Sequence, residues 1–341
     1  MLLLPLAGLY GAFGRARWTR ADPVRVPVPV ICVGNLVAGG AGKTPVVLKL
    51  IEDLTTHGRP PHVLLRGYGG REAGPLRVDP ARHTVAEVGD EALLLAGKAP
   101  TWVCRDRAAG AKAAVAGGAP IVVMDDGFQN PQLAKDLCLL VIDGGFAFGN
   151  GRLLPAGPLR EKPEDGLARA QAVVFLGEDR QRILPDLPAG LPVYRADLAS
   201  QAPKAAYAQF QTDPQQQAEP PRYLAFAGIG RPEKFFQSLR ERDLAPVETR
   251  AFADHHPYRP QDLQALLARA EALGARLITT EKDLPRLPAA WSPRLDVLPV
   301  EVRWRDANSP ARLRAATLAA TATSAITAPG APDTPANRPD R

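Results

Sequence analysis

From Val26 onward, short runs of β-branched and apolar residues alternate with longer stretches of helical periodicity. The apolar runs predict strands at 28–34, 62–66, 101–105, 121–126, 137–143 and 172–177. Between several of them, the pattern predicts helices over 43–57, about 89–98 and 106–117. Apolar strands that alternate with helices belong to a mainly parallel sheet covered on both faces. A second alternation starts at YLAFAGIG and continues through RPEKFFQSLRERDL, VETRAF, RPQDLQALLARAEALG, ARLITT and LDVLPVEVRW. The expected organisation is a main α/β domain over 21–205, a Gln- and Pro-rich linker over 206–220, and a smaller α/β domain over 221–308. Residues 309–341 are Ala, Thr and Pro with almost no large apolar side chain, which predicts a disordered tail.

The first thirteen residues, MLLLPLAGLYGAF, carry no charge, and Arg15, Arg17 and Arg20 follow them. A secretory signal carries its positive charges before the apolar run. Thirteen helical residues reach only about 20 Å, short of the roughly 30 Å hydrocarbon core. Residues 1–20 therefore read as a helix lying in the membrane interface, its arginines against anionic head groups. A first helix packed on the next domain is the alternative.

Composition changes this picture in four ways. With 45% hydrophobic and 23% charged residues, the 341-residue chain can bury a large core without staples. Arginine outnumbers lysine 33 to 9 at a net charge of +6, which suits bidentate recognition of phosphate. Aromatics make up 6% and do not interleave with basic residues, so no nucleic-acid partner is expected; no obligate protein partner is inferred. Cys32, Cys104 and Cys138 sit in apolar runs without a CxxC pair, as reduced core thiols do.

The first strand runs into VGNLVAGGAGKTP, residues 33–45. Glycines between a strand and a helix let backbone N–H groups curl around an anion, and the helix N-terminus adds its dipole. Val37, Ala38, Gly39, Gly40, Ala41, Gly42, Lys43 and Thr44 are thus expected to bind nucleotide phosphates. Lys43 would reach the β- and γ-phosphates, and Thr44 would ligate Mg²⁺. The strict motif has Gly where this chain has Val37. Ala38 stands where partitioning ATPases carry an extra lysine. In Thr280-Glu281-Lys282-Asp283 the lysine falls one place too late for a guanine reader. In IVVMDDGFQ, four apolar residues end in Asp125, the carboxylate expected to hold Mg²⁺ in a P-loop enzyme, with Asp126 beside it. Arg66, Arg105, Arg107 and Arg160 lie near strand ends or in the Gly- and Pro-rich segment 145–166, where they are candidates for holding a substrate phosphate. Glu161 follows Arg160 in that segment.

These residues resemble the tetraacyldisaccharide 4′-kinase family, the lipid A 4′-kinases of Gram-negative bacteria. The matching blocks are PLAGLYG, VGNLVAGGAGKTP, RGYGG, VGDEALLLA, DDGFQ, GRLLPAGPLRE, FAGIGRPEKFF, DHHPY and TTEKD, in order across both domains. The resemblance implies a P-loop NTPase-like fold, ATP as phosphoryl donor and phosphorylation of the 4′-hydroxyl of tetraacyldisaccharide 1-phosphate, giving lipid IVA. It implies a peripheral place on the cytoplasmic face of the inner membrane. It makes Asp90 the catalytic base, with Glu91 next to it as a metal or water ligand. Asp126 is the next candidate base should Asp90 not serve. The residues alone favour a helix cap at Asp90, and only the resemblance reverses that. In DHHPY the family pattern selects His255 as the partner of the base, with His256 beside it. A membrane-recruited NTPase switch, acting through partner binding, is the second reading.

Overall fold

The computed structural model describes residues 3–205, 221–288, 290–291 and 295–326. The first domain opens with α1 (Leu4–Thr19), β1 (Val30–Gly34), α2 (Lys43–Thr56), β2 (His62–Leu65) and β3 (Leu76–Arg77). It continues with α3 (Val85–Val88), α4 (Asp90–Ala96), β4 (Thr101–Val103), α5 (Arg107–Ala116), β5 (Val122–Asp125) and β6 (Leu137–Asp143). Then come α6 (Pro163–Leu167), β7 (Ala172–Leu176) and β8 (Val193–Ser200). The second sheet is built from β9 (Lys204–Ala205), β10 (Tyr223–Ala227), β11 (Glu248–Ala251), β12 (Arg276–Thr280) and β13 (Leu295–Leu298), with α7 (Pro232–Arg240) and α8 (Pro260–Ala272). The chain then returns to the first domain as β14 (Val300–Trp304) and α9 (Ser309–Ile326).

The larger sheet has the order β14-β8-β7-β6-β1-β5-β2-β4-β3 and is parallel except at its two ends. Along β1, Ile31 and Val33 enter the core beneath α2 and α4, while Val30 and Cys32 enter the core on the opposite face. This double burial is why the parallel strands are continuously apolar. β1 pairs with β5 on one side and β6 on the other, so the strand order reverses there and leaves a crevice at its carboxyl end. The phosphate loop leaves β1 at that point. The smaller sheet, β11-β10-β12-β13-β9, is parallel except for β9.

Three boundaries differ from the sequence expectation. LDVLPVEVRW is two strands divided at Pro299, and the second pairs with β8 in the larger sheet rather than closing the 221–308 domain. Lys204 and Ala205 pair with β13 and so belong to the smaller sheet. The stretch 309–326, expected as part of a disordered tail, is helix α9, with Leu313 and Thr317 buried and Arg314 3.4 Å from Asp53. Small alanines and threonines favour close helix packing where few large side chains are available. Residues 206–220 and 327–341, the rest of the expected linker and tail, lie outside the described residues. Strands β3 and β8 were not anticipated.

Candidate functional site

The phosphate loop combines one buried and one open side. Val37 and Ala41 are buried in the core, while Ala38, Gly39 and Gly40 face outward. The Val37 side chain packs in the core. Nothing lies within 4 Å of where a Cβ would stand at Gly39 or Gly40, so an anion has room over their amides. Gly42 sits at φ 83° and turns the chain into α2, placing Lys43 and the buried Thr44 in the first turn. Lys43 Nζ donates to Asn35 Oδ1 at 3.1 Å and lies 3.6 Å from Asp126.

Asp125 ends β5 with both carboxylate oxygens buried and without a hydrogen-bond partner. Burial, and then the charge of Glu91, push its pKa up to about 7. Two buried carboxylate oxygens without a protein partner, at the carboxyl end of β5, match a hard cation held by few protein ligands. Asp125 and Thr44 thus fit Mg²⁺. Asp126 adopts φ 54°, which swings its carboxylate onto Arg160 Nη1 at 2.8 and 3.0 Å. Burial alone would raise its pKa, but Lys43 and Arg160 outweigh it and hold the group below the usual range. Glu161 accepts from Gln129 Nε2 at 2.9 Å and from Arg169, and Gln129 Nε2 also donates to the Asn35 carbonyl. Arg160 and Glu161 therefore brace the loop carrying Asp126.

The second domain completes the crevice. His255 donates Nδ1–H to Asp90 Oδ2 at 2.9 Å, joining residues 165 positions apart. Asp90 is 4% exposed, and desolvation works against its charge, yet His255, Arg286 and Lys282 keep its pKa below the ordinary value. The bond to Asp90 correspondingly raises His255. Asp90 makes no side-chain cap on α4: of that helix's amides, its carboxylate is bonded to the adjoining one of Glu91. Glu91 pairs with Lys282 Nζ at 2.7 Å. His256 turns away, donating Nε2–H to Asp262 at 3.0 Å, which leaves His255 as the partner of Asp90.

Of the expected phosphate-holding arginines, Arg66 is exposed and Arg105 is exposed with a bond to the Arg71 carbonyl. Arg107 differs: its side chain is buried at the head of α5 and donates to the Cys104 carbonyl. Burial and the nearby Arg66 charge lower its pKa. The sequence reading did not identify Asn35, Gln129, Lys282, Arg286 or Arg231. Arg231 contacts the Gly40 carbonyl and Asp143, and Lys234 reaches Asp143 at 2.8 Å. Lys282 and Arg231 stand in TTEKD and GRPEKFF, but their partners Glu91, the Gly40 carbonyl and Asp143 lie in the other domain.

A parallel sheet with a phosphate loop at its switch point, a buried strand-end carboxylate and a carboxylate–imidazole pair define a P-loop NTPase-like phosphotransferase. The family model described as tetraacyldisaccharide-1-P 4′-kinase, LpxK, matches residues 1–318. Tetraacyldisaccharide 4′-kinase of Rhodospirillum centenum is 56% identical over 317 residues, covering 92% of this chain and 90% of that protein. The enzyme of Gluconacetobacter diazotrophicus is 53% identical over 312 residues, covering 92% of each chain. A crystal structure of LpxK from Aquifex aeolicus in complex with ATP superposes with a TM-score of 0.75 at 27% identity, covering 94% of this chain and 100% of that one. The chain belongs to the tetraacyldisaccharide 4′-kinase family.

Proposed function

We propose that this protein transfers the γ-phosphoryl group of ATP to the 4′-hydroxyl of tetraacyldisaccharide 1-phosphate, giving lipid IVA. The observation that carries the reading is the Asp90–His255 pair standing over the crevice that holds Lys43 and Asp125. Phosphoryl transfer to a sugar hydroxyl needs donor phosphates held in line, a cation and an acceptor for one proton. The loop amides and Lys43 hold the phosphates. Asp90 takes the hydroxyl proton as the oxygen attacks phosphorus, and His255 orients the carboxylate. Thr44 and Asp125 would hold Mg²⁺, with Glu91 as a further candidate ligand, and the cation would neutralise charge on the nucleotide phosphates. Arg66 is a candidate for the acceptor's 1-phosphate, with Arg105 and Arg107 at the neighbouring strand end.

A lipid acceptor accounts for α1. Its Leu6, Leu9 and Phe13 side chains are 52, 67 and 71% exposed, while only Ala7 is buried. These exposed apolar side chains support seating α1 at a membrane interface. Trp18 anchors the other end of α1, its ring 4.2 Å beneath the Arg169 guanidinium and 5.1 Å from Lys135 Nζ. No helix among the described residues is long and apolar enough to cross a membrane. We place α1 in the cytoplasmic leaflet of the inner membrane, with Arg17 and Arg20 at the head groups. A switch acting through partner binding calls for no proton acceptor beside the phosphates.

The test is transfer of label from γ-labelled ATP to purified tetraacyldisaccharide 1-phosphate, with and without Mg²⁺. Labelled lipid should form in proportion to ADP and only with the cation. ADP without labelled lipid would leave the switch reading.

A further inference from the structure

We propose that Arg286 is a positioning residue for phosphoryl transfer, locking the His255 loop of the second domain onto Asp90 of the first. The inference rests on the reading of Asp90 as the proton acceptor.

Arg286 ends the short turn Leu284–Arg286 that follows β12, and its side chain is 4% exposed. A buried guanidinium has five N–H groups to satisfy, in a rigid planar fork. Nη2 donates to Asp283 Oδ1 at 2.8 Å and to the Lys282 carbonyl at 3.4 Å. Nη1 donates to the carbonyls of Gly228 at 3.0 Å and His256 at 3.2 Å. The Gly228 carbonyl also accepts the His255 amide at 3.0 Å, and His255 itself sits at φ 56°. One planar group thus grips both sides of a left-handed residue whose backbone would otherwise relax. The Tyr258 ring lies against the guanidinium at 5.6 Å, and Asp283, fully buried, is fixed by the Tyr258 hydroxyl and the Gly228 amide.

The remaining nitrogen is the informative one. Nε is buried and has no hydrogen-bond partner, yet it stands 3.3 Å from Asp90 Oδ2, the oxygen that His255 holds. A buried N–H left unpaired in an otherwise saturated fork is costly, and its nearest acceptor belongs to the other domain. A small approach of the two domains gives Asp90 Oδ2 two donors, His255 and Arg286. The position of the imidazole and the position of the carboxylate are then set by the same side chain. Lysine supplies the charge but not the fork, so the two roles can be separated.

The experiment compares Arg286→Met, Arg286→Lys and Asp90→Asn in the full chain, alone and as the Arg286→Met/Asp90→Asn double variant. Steady-state kinetics use ATP and the tetraacyldisaccharide 1-phosphate in mixed micelles, with melting temperature as the check on folding. Arg286→Met should lower kcat by about 100-fold while the KM for ATP stays within about threefold. Arg286→Lys should recover about tenfold of that loss, and in the Asp90→Asn background Arg286→Met should cost less than about threefold more. A folded Arg286→Met enzyme within about threefold of the wild-type kcat would overturn the proposal, as would full additivity with Asp90→Asn. Should Arg286→Met not fold, the Lys variant decides: a kcat equal to wild type refutes the fork, and a loss that vanishes in the Asp90→Asn background supports it. If Asp90→Asn itself keeps its rate, the reading of the base fails, whatever Arg286 does.

Discussion

Lys282 Nζ lies 2.7 Å from Glu91 Oε1, so the second domain neutralises the carboxylate next to the one read as the base. Glu91 is also the charge that, after burial, raises Asp125. Removing the lysine leaves Glu91 and Asp125 facing each other with less positive charge between them. Lys282→Met should therefore lower kcat/KM for ATP by about tenfold at low Mg²⁺, and added Mg²⁺ should restore part of it. A Mg²⁺ titration of the initial rate checks this; an unchanged titration would remove Lys282 from the cation's surroundings.

Lys43 has two partners, Asn35 and Asp126, and each has others: Asn35 Nδ2 donates to Val37, and Asp126 holds Arg160. The Lys43→Ala protein should therefore melt close to the wild-type temperature. Its kcat should fall by roughly 100- to 1000-fold, because the developing charge on the phosphoryl loses its donor. Near-normal turnover by a folded Lys43→Ala protein would remove the phosphate-loop assignment.

The two adjacent histidines should separate cleanly. His255→Gln should cut kcat by about 100-fold or more with little change in ATP affinity. His256 bonds Asp262 at the start of α8 and packs on Phe252 and Tyr258, so His256→Gln should cost stability, by about 1 kcal/mol, at nearly full specific activity. Paired thermal melts and rates decide between them.

Replacing Leu9 and Phe13 by Ser should weaken binding to anionic vesicles and raise the apparent KM for lipid presented in them. ATP binding should not change, since neither side chain is buried against the domain. Salt should weaken vesicle binding of the wild type, because Arg17 and Arg20 act through a screened field. Salt-independent cosedimentation would argue against this seating.

Asp143 joins the domains through Lys234 and Arg231, and these cations outweigh burial to hold its pKa below the ordinary carboxylate value. A depressed folded-state value means the contribution is present above the unfolded pKa, about 3.9, and is lost as pH falls through the folded one. Asp143→Asn should thus lower urea stability at pH 7, and the two stability curves should converge below about pH 4. Parallel curves across that window would show that the contact adds nothing.

How much of this was legible in the sequence depended on distance along the chain. The loop from Val37 to Thr44 and the pair Asp125-Asp126 are contiguous, so spacing alone exposed their chemistry. Asp90 and His255 could be joined only through a resemblance, because no local pattern links residues 165 positions apart. The reach of Arg286 to Asp90 and of Lys282 to Glu91 was hidden for the same reason, since both contacts cross between the domains. The misread elements were those whose burial is set by the sheet they join: Pro299 splits one apolar run between two sheets, and α9 hides Leu313 and Thr317 in an Ala- and Thr-rich helix.

Val300 pairs with Ser200, so the strand that finishes the larger sheet is synthesised 100 residues after its neighbour. At about 5–20 residues per second, β8 waits roughly 5–20 s on the ribosome for β14. Any sheet the first domain formed in that interval would end at β8 as an open edge. The outward-facing positions of β8 include Arg195, and Asp197 is held for Arg305, which arrives just after β14. Charges on a temporary edge discourage wrong pairing during that wait. The nested order of the two domains therefore demands protection of the nascent chain as well as stability of the finished one.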